Sequence, residues 1–159
     1  MKFRPLEKDD HSLLPKFLYQ AIFVPPGDQK PSTAIINEPE ILRYIINWGV
    51  MNGDKAIVAE ANTKIIGMAW GRIFKFPGTG YGYINDDTPE ISISILPEYR
   101  NQGVRTKLLK KLFRAYKKDK TSQLSLSVDK RNPALELYKK IGFREFGDKG
   151  QAITMIKHL

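Results

Sequence analysis

A chain of 159 residues with 42% apolar content suits one folded domain with a buried core and argues against disorder. No apolar run approaches the roughly 20 residues that span a bilayer, residues 1–7 lack the apolar stretch of a secretory signal, and the absence of cysteine excludes disulfides and thiolate metal sites. The net charge of +9 is uneven, ten basic against eight acidic residues in 1–80 and sixteen against nine in 81–159; such a field favours an anionic partner, or is simply a solvated surface.

In chain order, residues 2–6 suit a short strand. Residues 7–23 read as a helix with Leu13, Leu14, Phe17, Leu18, Ala21 and Ile22 near one face, although Pro15 must then sit near its start. Breakers make 24–31 a loop. A second helix is expected after Pro39, carrying Ile41, Leu42, Ile45, Ile46 and Trp48 to a stop at Gly49. Residues 55–60 and 65–74 then form a hairpin about a turn at 61–64, and 77–83 is a glycine-rich loop.

Residues 90–95 alternate polar and apolar, the pattern of a half-buried strand. After Pro97-Glu98-Tyr99-Arg100-Asn101-Gln102-Gly103 a helix begins, with Val104, Leu108, Leu109, Leu112, Phe113 and Tyr116 on its apolar face. Residues 123–128 are a strand. Asn132-Pro133 opens a further helix that Gly142 closes, and 144–146 and 151–156 are two final strands. The order is mixed α/β, a central sheet covered by helices.

The chemistry concentrates where the strand ending at Leu96 turns into the helix after Gly103. The first N–H groups of a helix lack intrahelical partners and carry positive charge from the dipole. A glycine lets a ligand approach the backbone, so the unit suits a pyrophosphate, and Arg100 and Arg105 add full charges. The same glycine also fits a mere tight turn. The loop is neither a Walker A sequence nor a dinucleotide fingerprint.

The segment Leu96-Pro97-Glu98-Tyr99-Arg100-Asn101-Gln102-Gly103-Val104-Arg105-Thr106 resembles the acetyl-CoA loop of the GNAT superfamily of N-acetyltransferases. Arg100 and Gly103 match the first and fourth positions of the Arg/Gln-x-x-Gly-x-Gly/Ala pattern, and Arg105 departs from it at the sixth. The helix from Asn132 to Phe143 resembles the family's second signature, matching at Asn132, Tyr138, Gly142 and Phe143 with small Ala134 close by. The resemblance is firm over 90–146, and over 1–75 only the order of elements fits.

The resemblance implies one domain over 1–159, of α/β (α+β) type. It has a mixed, mostly antiparallel sheet of six to seven strands, a splayed central pair and about four flanking helices. It implies that the backbone of Ile93, Ser94, Ile95 and Leu96 bonds the pantetheine arm of acetyl-CoA. Amides of Gln102, Gly103, Val104, Arg105 and Thr106 would cradle the pyrophosphate, with the bulk of Arg105 swung outward. Asn132 would contact the arm, and Tyr138 would lie near the sulfur.

Acetyl transfer to an amine needs a base, a stabilised oxyanion and a proton for the thiolate. Tyr138 is the candidate acid, or a core aromatic. Glu90 is the candidate base, or a solvent-facing strand end. Ser92 and Ser94, on the same face, suit a water chain that would replace a single base. Asp86 and Asp87 are weaker candidates, and Tyr81 and Tyr83 shape the acceptor pocket or pack over the sheet edge. The expected partners are acetyl-CoA and an amine-bearing small molecule or protein, with no metal, nucleic acid or membrane, in the cytoplasm; a homodimer is left open. The alternatives are an inactive acetyl-CoA sensor and a nucleic-acid surface on the basic helix 105–120, which lacks interleaved aromatics for base stacking.

Overall fold

The computed structural model describes residues 1–159. Seven strands, β1 (Lys2–Pro5), β2 (Lys55–Ala61), β3 (Lys64–Ile73), β4 (Pro89–Ile95), β5 (Gln123–Asp129), β6 (Arg144–Asp148) and β7 (Ala152–His158), form one sheet in the order β1-β2-β3-β4-β5-β7-β6. Four helices accompany it: α1 (Leu14–Ala21), α2 (Pro39–Leu42), α3 (Val104–Lys118) and α4 (Ala134–Lys140). No helix is long and apolar enough to cross a membrane.

Every neighbouring pair is antiparallel except β4 and β5, which run parallel and are paired only at Glu90 and Ser125. Beyond that point the two strands part, and residues of both line a cavity between them. Leu96 N–H bonds Ile66 on β3, so by alternation the backbone groups of Ile93 and Ile95 turn away from β3 toward the gap.

The two faces of β4 meet different layers. Leu108 of α3 meets Ile95 over Gly67, and Val104, Leu108, Leu109, Leu112, Phe113 and Tyr116 bury the apolar stripe of α3. The polar face of β4 turns to α1, where Ser94 Oγ donates to Phe17 O at 2.7 Å. This corrects the half-buried reading of 90–95: Glu90 and Ser94 are buried, and the alternation separates a greasy layer from a hydrogen-bonded one.

Two helices are shorter than their periodicity suggests. Residues 8–13 form a 3-10 turn and α1 starts only at Leu14. Pro15 then falls in the first turn, where its missing N–H costs nothing. The helix after Pro39 ends at Leu42 and continues as turns to Gly49. Its carbonyls are spent on side chains of β3: Arg72 Nη1 donates to Arg43 O and Ile46 O at 2.9 and 2.7 Å, and Trp70 Nε1 to Tyr44 O at 3.2 Å. Arg72 is itself held by a bidentate pair with buried Asp54, both contacts at 2.9 Å. That anchorage fixes Tyr44 over β4. A 3-10 turn at Thr33–Asn37, capped by Ser32, interrupts the long loop before α2.

Candidate active site

The gap between β4 and β5 opens into a cavity of about 1140 Å³. At one end is the turn into α3. No backbone N–H from residue 101 to residue 106 has an acceptor within the protein, because the ladder of α3 starts with Lys107 N–H on Gly103 O. Gly103 makes this possible with a left-handed φ of +79°, which re-aims the chain into the helix. Six successive amides at a helix start form a concave, positively polarised cradle suited to a phosphate-type anion. Arg100 is tied back to the end of β4 by Nε–H on Ile95 O at 3.1 Å.

Arg105 does not swing outward. It is half-buried, lines the cavity, has an Nε buried without a partner, and acts electrostatically on Tyr138. A long side chain on the first turn of α3 faces the splay before it reaches solvent, and its stem finds apolar cover there.

Across the gap, Asn132 Oδ1 accepts the N–H of Ala134, the first residue of α4, at 2.9 Å, and Pro133 stands at the N-cap position, one residue earlier relative to the helix than its sequence suggests. One turn on, Tyr138 is buried, lines the cavity, and packs edge-on against Phe143 at 6.0 Å. Burial raises its phenol above the ordinary value, and the Arg105 guanidinium pulls it partly back.

At the other end stands Glu90. Tyr44 Oη donates to Glu90 Oε2 at 2.5 Å and accepts Tyr81 N–H at 2.8 Å. Glu90 Oε1 is buried with no partner. Burial pushes the Glu90 carboxyl up to about 7, against the Tyr44 hydrogen bond, the nearby Gly82 N–H and the Lys149 charge, which favour the anion. Gly80 closes over the pair, and a side chain there would collide with the Glu90 carboxylate and the Tyr44 phenol. Tyr81 stacks on Tyr44 with centroids 6.4 Å apart.

Of the residues expected from sequence, Glu90, Ile93, Ser94, Ile95, Arg100, Gly103, Val104, Arg105, Thr106, Asn132 and Tyr138 share this cavity. Leu96 and Gln102 stand outside its lining. Both serines line the cavity; the donor of buried Ser94 is committed to Phe17 O, whereas half-buried Ser92 forms no side-chain hydrogen bond within the protein. Asp86 and Asp87 are exposed on the loop and apart from the cavity, and Asp86 holds Tyr83 Oη at 2.6 Å, which keeps Tyr83 out as well. Tyr44 was missed. Its only sequence signal is one aromatic among the apolar residues after Pro39, and its partner lies 46 residues on.

A family model described as "Acetyltransferase (GNAT) family" matches residues 20–143. A comparison with curated proteins found no match. Among solved structures, the chain is similar to a PaiA N-acetyltransferase from Thermoplasma acidophilum in complex with coenzyme A. The TM-score is 0.72 at 18% identity, over 99% of this chain and 98% of that one. It is also similar to a GNAT-family acetyltransferase from Streptococcus pneumoniae (TM-score 0.70, 19% identity, 99% of each chain). A third is a ribosomal-protein-alanine N-acetyltransferase from Brucella melitensis (TM-score 0.69, 20% identity, all of both chains).

Proposed function

The chain belongs to the acetyltransferase (GNAT) family, and we propose that it transfers an acetyl group from acetyl-CoA directly to a primary amine, with no covalent enzyme intermediate. The observation that carries this reading is one cavity joining Asn101 and residues 103–106, whose amides are free at the start of α3, to Glu90 and Tyr138. The cofactor fits the residues present: the amides of 101–106 suit the pyrophosphate, and the gap-facing backbone of Ile93 and Ile95 suits the amide-rich arm. The coenzyme A complex of the Thermoplasma relative supports it.

Acetyl-CoA supplies an activated acyl group. Glu90 takes a proton from the acceptor ammonium, directly or through water beside Ser92, and leaves a neutral amine to attack. Tyr138 gives its proton to the departing sulfur, the surplus proton on the new amide nitrogen returns through water to the phenolate, and Glu90 releases its own proton to solvent.

The basic back of α3 does not compete with this reading. Lys110, Lys117 and Lys118 are exposed, while the helix's aromatics, Phe113 and Tyr116, are buried and unable to stack on bases.

Acetyl-CoA at 100 times its dissociation constant should stabilise the fold by about 2.7 kcal/mol. Thermal melting with and without it, followed by thiol release on adding amines, tests the assignment. No melting shift together with no calorimetric heat would overturn it.

Gly103→Val should weaken acetyl-CoA binding more than Arg105→Ala. The left-handed φ of +79° is costly for a β-branched residue, on the order of 1–2 kcal/mol, and the cradle is made of backbone. If Arg105→Ala is the weaker binder of the two, a side-chain clamp holds the phosphate instead.

A further inference from the structure

The charges lining the acceptor end of the cavity are few and specific. Only two acids line the whole cavity, Glu90 and Asp129. Asp129 is already neutralised, since Arg131 Nε and Nη2 donate to its two oxygens at 3.0 and 2.8 Å. That leaves Glu90, a carboxylate with no ion pair, whose Oε2 accepts from Tyr44 and whose buried Oε1 has no hydrogen-bond partner. An acceptor ammonium satisfies it; Glu38 and Glu40 act on Tyr81 from outside the cavity and do not line it.

The charged group within electrostatic reach of Glu90 is Lys149. Lys149 and Lys30 both line the cavity as exposed residues, and neither forms an ion pair. Lys149 Nζ spends one donor on Tyr81 O at 3.1 Å, and its ammonium has two more to offer. It is linked to Glu90 through Tyr81 and Tyr44. The same cavity has an apolar and aromatic wall that includes Ile22, Phe23, Val24, Ile41 and the stacked Tyr44 and Tyr81.

We infer that the acceptor is a zwitterion of the amino-acid class with an apolar body. Its amine goes to Glu90, its carboxylate to exposed Lys149, and its side chain to the apolar wall. This rests on the proposed acetyl transfer and narrows the acceptor within it. Polyamines and lysine-rich peptides are disfavoured twice over: they bring extra cations to a cavity lined by Lys30, Lys149, Arg100 and Arg105, and they approach a protein of net charge +9.

The test is an acceptor comparison at saturating acetyl-CoA, using phenylalanine, phenylalaninamide, spermidine and a lysine-rich peptide. Phenylalanine should have a KM about fivefold below that of its amide, the upper end for one exposed charge pair. Spermidine and the peptide should fall at least about tenfold lower in kcat/KM. Lys149→Gln should raise the KM of phenylalanine selectively and bring the acid-to-amide ratio near one.

A faster spermidine or peptide reaction, or an unchanged ratio in Lys149→Gln, overturns the inference. If none of the four releases thiol, calorimetric titration of phenylalanine and its amide into the coenzyme A complex decides, and equal or absent binding overturns it. Acetyl-CoA melting is run on the same protein. A melting shift with the wrong acceptor order sinks this inference alone, whereas no binding of acetyl-CoA sinks the acetyltransferase reading beneath it.

Discussion

Glu90→Gln should lower kcat/KM by about 10²–10⁴-fold and flatten a pH profile that, in the native protein, rises through an inflection near pH 7. The carboxylate is buried among apolar groups, and burial disfavours its charged form more than Tyr44, Gly82 and Lys149 favour it. A base poised near neutral pH accepts a proton readily and returns it readily. Glutamine keeps the shape and still accepts the Tyr44 hydrogen bond, but takes no proton. Full turnover by this variant would hand the base role to water.

The same residue makes a prediction about stability. Its folded-state pKa of about 7 lies above the ordinary 4.5, so the folded protein holds a proton that the unfolded chain has already lost. The stabilising contribution is complete below about pH 4.5 and is lost as pH rises through about 7. At about 1.4 kcal/mol per pH unit, the loss is on the order of 3 kcal/mol. Urea unfolding at pH 5 and pH 8 should show Glu90→Gln losing less than the native protein over that interval. Parallel losses in the two proteins would mean that Glu90 is not the buried titrating group.

The turn into α3 was legible because everything that defines it is local. Gly103, the apolar spacing from Val104 to Tyr116, and the strand ending at Leu96 all lie within about twenty residues. The bond from Ala134 N–H to Asn132 at the start of α4 is equally local. The partnership of Glu90 with Tyr44 is not. It depends on Arg72 and Trp70 drawing carbonyls out of a helix that periodicity alone would have continued. Alternation on β4 was equally silent about what its polar face meets, since Ser94 gives the same pattern whether it faces water or the end of α1. Arg105 was misjudged for a related reason. A residue name gives the charge, but the direction of a long side chain is set by the gap between β4 and β5, which exists only once the strands have parted.

Tyr138→Phe isolates the other end of the reaction. The ring packs against Phe143 and lies among buried residues, so phenylalanine preserves the contact and removes only the hydroxyl. In the native protein burial holds the phenol above its ordinary value, so it stays protonated at neutral pH and stands ready to donate. Arg105 tempers that rise and would also stabilise the phenolate left after donation. If Tyr138 is the acid, as proposed, the lost interaction belongs to the transition state. Turnover should therefore fall by about 10²–10⁴-fold while acetyl-CoA affinity changes little. The measurement is single-turnover thiol release, where chemistry limits the rate, beside a calorimetric dissociation constant. Near-native turnover would make Tyr138 a core aromatic and leave water to protonate the sulfur; equal losses in affinity and rate would make the hydroxyl a binding group.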